Sequence, residues 1–120
     1  MNLRDLPDFP AIRAARERIA RYVRVTPVMN AEALDEAFGA RLFLKCENFQ
    51  KVGAFKARGA CNAVFSLPQD VASRGVVTHS SGNHGAALAY AARQRGIPAH
   101  VVMPDNAPKV KIANVASFGA

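Results

Sequence analysis

Lys56 lies in the run Val52-Gly53-Ala54-Phe55-Lys56-Ala57-Arg58-Gly59-Ala60, where a loop gives way to a stretch with helical apolar spacing. An amine at a helix amino terminus feels partial positive charge, which disfavours an extra proton. Apolar neighbours would act in the same direction by desolvation. The neutral amine is the form that attacks aldehydes, so the position suits Schiff-base chemistry. Phe55 offers a face to a flat ring, and Gly53 and Gly59 would permit close approach of the backbone. The other lysines, Lys45, Lys51, Lys109 and Lys111, read as surface charges. Position alone does not separate Lys56 from them.

A second run, His79-Ser80-Ser81-Gly82-Asn83-His84-Gly85, also joins an extended-looking stretch to a helix-looking one. Free N–H groups at such a junction bind anions, and Gly82 would let the chain turn tightly against a ligand. The spacing is neither that of a Walker loop nor that of a dinucleotide-binding glycine turn. The bland alternative is a helix cap in which Ser81 or Asn83 satisfies free amides. No metal site is expected, because His79 and His84 lack a matching ligand set. An amine that can trap a carbonyl, with a separate cradle for an anion, is what chemistry on amino acids requires.

These loops need elements to hold them. Asp8 is predicted to cap a helix running to Val23, with Pro10 in its first turn and Ile12, Ile19 and Val23 on one side. Thr26-Pro27 breaks it. Asn30 is expected to cap a short helix from Ala31 to Phe38 that Gly39 closes. Arg41 to Cys46 reads as a strand, Phe55 to Leu67 as a helix ended by Pro68, and Gly75 to Thr78 as a β-branched strand. An alanine-rich helix is predicted from Asn83 to Gln94 with Gly96 past its end, then a strand from Pro98 to Met103. A last helix runs from Pro108, at its first position, to about Ser117. Strand and helix alternate as in a βαβ array, which predicts an α/β protein with a doubly wound parallel sheet and ligands at the strands' carboxyl ends.

At 120 residues, 50% hydrophobic and 21% charged, the chain can bury a core. It has no apolar run long enough to span a bilayer, and its start does not resemble a secretory signal. Residues 11–24 carry five arginines against Glu17 alone, which reads as a solvated helix face rather than a transit peptide. Cys46 and Cys61 suggest neither a disulfide framework nor a zinc site, but thiols in a reducing, cytoplasmic setting. The net charge of +7 is spread without any nucleic-acid-binding signature, so an anionic cofactor or substrate is its expected use and no nucleic acid or membrane partner is expected. Three strands make a narrow sheet, and the chain stops at Ala120, directly after a helix; it is expected to be part of something longer.

Glu47 and the Phe55-Lys56-Ala57-Arg58-Gly59 run together resemble the cofactor-attachment segment of the serine/threonine dehydratase and serine racemase family, tryptophan-synthase-β-like (fold type II) pyridoxal-phosphate enzymes. The resemblance runs from Thr26-Pro27 through Ala120 and implies that Lys56 holds pyridoxal 5'-phosphate as a Schiff base, with Phe55 beside the ring. Ala54 departs from it by standing where serine is usual. The Ser80–Gly85 run resembles the family's substrate-carboxylate loop. By that resemblance Ser80, Ser81, Gly82, Asn83 and His84 bind substrate, and Asn83 also touches the cofactor's ring oxygen.

What the resemblance implies is dehydration and deamination of L-serine or L-threonine to a 2-oxo acid and ammonia, with Lys56 removing the α-proton. Family members that racemise serine carry a hydroxyl at the position of Ser81, facing the cofactor from the side opposite the lysine. Ser81 therefore counts as a second catalytic candidate and keeps racemisation open. Hydroxyaspartate dehydratases also carry Ser-Ser-Gly-Asn here. A truncated, non-catalytic binding module is the alternative of another class, since the family's glycine-rich phosphate loop lies farther along. Residues 1–70 are expected to begin the larger cofactor domain and 71–120 a smaller substrate-loop domain of a protein that assembles as a homo-oligomer.

Overall fold

The structure, a computed structural model, describes residues 6–120. Helix α1 (Phe9–Ile19) starts as expected: the Asp8 carboxylate accepts from the Ala11 N–H at 2.8 Å, and Pro10 sits in the first turn. It stops short of the predicted Val23. Tyr22 turns inward instead, stacking on Phe65 with ring centroids 3.9 Å apart, and its carbonyl accepts from the Tyr90 hydroxyl at 2.6 Å. Packing on another helix outweighs the local periodicity. Arg13, Arg16 and Arg18 are exposed, as a solvated face requires. Of the predicted inward side, Ile19 is buried whereas Ile12 is 55% exposed.

The next segment departs most from expectation. Strand β1 (Val28–Met29), not foreseen, pairs antiparallel with β2 (Leu44–Lys45), in register Val28 to Lys45. The strand predicted over 41–46 is thus two residues long and joins no parallel sheet. Between the two strands lies α2 (Glu32–Phe38), closed by left-handed Gly39 as predicted. Asn30 does not cap it. Its Nδ2 donates across the connection to the Leu42 carbonyl at 3.0 Å, and Ala31 holds the cap position without a side-chain bond.

Helix α3 (Lys56–Ser66) follows two short 3-10 turns, Glu47–Phe49 and Lys51–Gly53. A one-turn helix, α4 (Gln69–Ala72), comes after Pro68 and was not predicted. Strands β3 (Val76–His79) and β4 (Ala99–Val102) pair in parallel, from Val76 opposite Ala99 to His79 opposite Val102, joined by α5 (Asn83–Arg95). This is the βαβ unit that the alternation predicted. Left-handed Gly96 ends α5. Pro108 caps the last helix, α6 (Lys109–Ala116), from just outside rather than opening it.

Helix α5 is the axis of the packing, with Gly85 through Ala92 buried in succession. A helix buried on all sides must be short in side chain wherever neighbours crowd it, and its alanines meet that need. On one side Ala87, Leu88, Tyr90 and Ala91 pack with Ile19 and with Ala60, Cys61 and Val64 of α3. On another, Ala86 and Ala89 meet Val115 of α6. Arg95 ties α5 to the end of α3 by donating to the carbonyls of Val64 and Leu67. Among the described residues, no helix is long and apolar enough to cross a membrane.

Candidate active site

The lysine segment is held by a backbone that local preference disfavours. Val52 has φ +56° and ψ 13°, and Gly53 follows at φ +69°. Glycine tolerates this region, but a β-branched residue there costs about 1–2 kcal/mol. Tertiary contacts hold it: the Val52 side chain packs against both buried clusters that contain α5 alanines. Ala54 is buried behind the turn. The chain then presents Phe55, 60% exposed, and Lys56 as the first residue of α3. The Lys56 Nζ lies 5.4 Å from the Phe55 ring centroid, within cation–π reach. The apolar wall expected around the amine is not supplied by residues 6–120, where Lys56 is exposed. Gly59 allows no close approach here either, since a Cβ there would meet nothing within 4 Å.

One turn into α3, Arg58 grips Glu47 with Nε to Oε2 at 2.9 Å and Nη2 to Oε1 at 2.7 Å. The buried Thr26 hydroxyl donates to the same Oε1 at 2.5 Å. Gln50, only 2% exposed, completes the knot: it accepts from the N–H groups of Arg24 and Lys51 and donates to the Arg24 carbonyl. Residues 24–26 are thereby fastened to both ends of the lysine turn. A bidentate, charge-assisted pair of this kind is stronger than an exposed ion pair. Hydrogen bonds from Arg58 hold the Glu47 carboxyl at about 2, against an ordinary 4.5.

The sign follows from linkage: a depressed carboxyl stabilises the fold above its unfolded value, and that stability is lost as pH falls through the folded one. Thermal melts of the complete protein should therefore show wild type ahead of Glu47→Gln above pH 4.5. The gap should close progressively on acidification toward pH 2. A gap independent of pH over that window would contradict the role given to the ionised carboxylate.

The second loop closes on Ser80. Its N–H donates to the Val102 carbonyl at 3.0 Å, extending the parallel ladder. Its Oγ accepts from the N–H groups of Gly82 at 3.2 Å and Gly85 at 3.1 Å. Ser80, not Ser81 or Asn83, is therefore the capping side chain. The helix can sit this close to the sheet because residue 85 is glycine, where a Cβ would fall 2.9 Å from the Val101 Cγ1. The Ser81 hydroxyl and the N–H groups of Ser81, Asn83 and His84 find no partner among the described residues. Asn83 Oδ1 accepts from the Lys111 Nζ at 3.2 Å. Gly82 has φ −154°, which does not itself require glycine, and the space a Cβ would take there is open. Among the described residues, no group of three or more His, Cys, Asp and Glu side chains could hold a metal.

Lys56 and residues 79–84 make no direct hydrogen bond among the described residues. What couples them is packing: the turn before Lys56 rests through Val52 on the helix that Asn83 begins. A groove of about 640 Å³ between α1 and α3 contains neither Lys56 nor the second loop. Chemically, the exposed residues fit pyridoxal phosphate and an amino acid: a primary amine for an aldehyde, an aromatic face for a ring, and free N–H donors at a helix start for an anion. Sequence reasoning missed the Glu47–Arg58–Thr26–Gln50 knot and Lys111. No acid occurs between residues 71 and 104, which agrees with the reading of the second loop as a candidate anion cradle.

Residues 19–120 match the family model described as pyridoxal-phosphate dependent enzyme. The chain is 57% identical over 112 residues to a serine racemase of rice (Oryza sativa subsp. indica), covering 93% of this chain and 33% of that protein. It is 53% identical over 114 residues to the β-hydroxyaspartate dehydratase of Paracoccus denitrificans (strain Pd 1222), covering 95% and 36%. Among solved structures, maize serine racemase matches with a TM-score of 0.91 at 57% identity, over 94% of this chain and 34% of that one. The chain spans about a third of the length of these relatives.

Proposed function

The chain belongs to the pyridoxal-phosphate dependent enzyme family, with the α/β fold of its type II members, and on that premise we propose that the complete protein racemises serine. When bound, pyridoxal phosphate supplies an electron sink that acidifies the substrate's Cα–H bond. Lys56 would hold the cofactor covalently, and its amine would take the α-proton of a bound substrate. Phe55 would pack beside the cofactor ring, and Asn83 would donate a hydrogen bond to it. The substrate carboxylate would rest on the free N–H groups of Ser81, Asn83 and His84, in a loop shaped by Ser80, with the His84 side chain beside it. Inversion needs a second proton carrier on the opposite face. Ser81 is that carrier.

The observation behind this reading is the division of labour between two adjacent serines. Ser80 spends its oxygen on the loop, whereas the Ser81 hydroxyl is exposed and has no partner among the described residues. A hydroxyl with no structural duty at this position is suited to proton exchange. The most similar relatives named above include serine racemases, which reverses the order of dehydratase and racemase that the motif resemblance alone suggested.

Dehydration is the second reading, favoured by the identity to a β-hydroxyaspartate dehydratase. It uses the same residues as far as loss of the α-proton. The β-hydroxyl would then leave as water, taking the proton that the Lys56 amine had accepted, and hydrolysis would give a 2-oxo acid and ammonia. Incubating the complete protein with L-serine and assaying D-serine and pyruvate separates the readings. D-serine is expected. Pyruvate without D-serine would leave the dehydratase, and neither product would favour a binding module.

The domain division near residue 70 and a homo-oligomeric assembly are proposed for the complete protein on the same grounds. A reducing, cytoplasmic setting is proposed with them, and Cys46 and Cys61 are free thiols.

A further inference from the structure

An acidic side chain is the usual complement of a helix amino terminus, yet the first turn of α5 has none. No Asp or Glu occurs between Asp70 and Asp105. A cation comes to this end of the helix instead. Lys111 is half-buried, and its ammonium lies 3.2 Å from Asn83 Oδ1. Among the described residues the only ion pair is Arg58 with Glu47, so Lys111 faces no carboxylate.

Its place is set by packing. Val115, one turn further along α6 and on the same helix face, is buried against Ala86 and Ala89 of α5. Arg93 holds the end of α6 through the Ser117 carbonyl at 3.1 Å, and Phe118 meets the Tyr90 ring edge-on. Stepping back one turn from Val115 brings Lys111 over the residue that begins α5. A positive group fixed beside the positive end of a helix is unfavourable alone and becomes favourable when an anion joins them.

An ammonium can only donate hydrogen bonds, while an asparagine amide has an accepting end and a donating end. Lys111 therefore draws the amide oxygen to itself and leaves the NH2, which can only donate, free for another partner. We infer that Lys111 is a positioning residue, which locks the Asn83 amide so that this loop presents donors alone to the carboxylate of an amino-acid substrate. The inference rests on residues 80–84 being the carboxylate loop of the proposed function. Without the lysine the amide is free to flip and offer its oxygen to the anion.

The test uses the complete, cofactor-loaded protein and propionate, a carboxylate with no amine, as competitive inhibitor of L-serine turnover. Lys111→Met keeps the stem and removes the charge. It should raise the propionate Ki and the L-serine KM about tenfold or more, with kcat changed less than about threefold, the size expected for loss of a charge-assisted contact. Lys111→Arg should restore most of the affinity. In an Asn83→Ala background, Lys111→Met should add less than about twofold, because the two residues act as one unit. Should Lys111→Met fail to fold, Lys111→Gln is read in the same way. Borohydride labelling of the same samples separates the two levels. An unchanged Ki, or a full effect persisting in Asn83→Ala, with the label on Lys56, overturns the positioning role alone. A label absent from Lys56 in wild type overturns the site and this inference with it.

Discussion

Lys56→Ala in the complete protein should abolish the proposed turnover of serine, by at least about four orders of magnitude, and remove the visible absorbance of lysine-bound cofactor. General acid–base catalysis alone contributes about 10²- to 10⁴-fold, and the proposed role gives the same amine the covalent link as well. The substitution is clean. Lys56 is exposed and opens α3, alanine is the best helix former, and no hydrogen bond of the Lys56 side chain is lost among the described residues. The melting temperature of the cofactor-free protein should therefore hardly move, so lost activity cannot be attributed to unfolding. Lys51→Ala, in the turn just upstream, is the control and should retain activity. An active, visibly coloured Lys56→Ala protein would contradict the proposed chemistry.

Ser81→Ala should lower D-serine formation by about 10²-fold or more while pyruvate formation falls less than about tenfold. Reprotonation on the second face needs a hydroxyl there. Elimination needs no proton donor on that face, because both removal of the α-proton and its return to the leaving hydroxyl are assigned to Lys56 in the proposed mechanism. Ser80→Ala should behave differently, because its oxygen holds the N–H groups of Gly82 and Gly85. Losing that cap leaves two amides short of an acceptor and should raise KM for both reactions together, with a stability cost of roughly 1–2 kcal/mol. If Ser81→Ala lowers both products in parallel, Ser81 supports the loop rather than carrying a proton.

Much of this was legible because it is local. Asp8, Gly39 and Gly96 act as helix boundaries within a few residues of their partners, and their signals carried through. The alanine-rich run was legible as the helix α5, and the two loops carried their candidate chemistry in residue type. Features set by distant partners were not legible. Strands β1 and β2 exist only because residues sixteen or so apart pair, and Asn30 was taken by the Leu42 carbonyl instead of its own helix.

No propensity would place a valine at φ +56°; packing on α5 holds Val52 there. Glu47 and Arg58 stood out only as letters in a resembling motif, and nothing local joined them to Thr26 and Gln50. Lys111 read as one more surface charge until the packing of α6 on α5 brought it to Asn83.

Sodium borohydride reduction fixes a lysine–pyridoxal linkage irreversibly, so peptide mapping of the reduced, complete protein identifies the amine that carries the cofactor. The pyridoxyl mass should fall on the peptide containing Phe55-Lys56-Ala57, at Lys56 and at near-stoichiometric yield. A tag on Lys45, Lys51, Lys109 or Lys111, or no tag on a protein that nonetheless turns over serine, would contradict it.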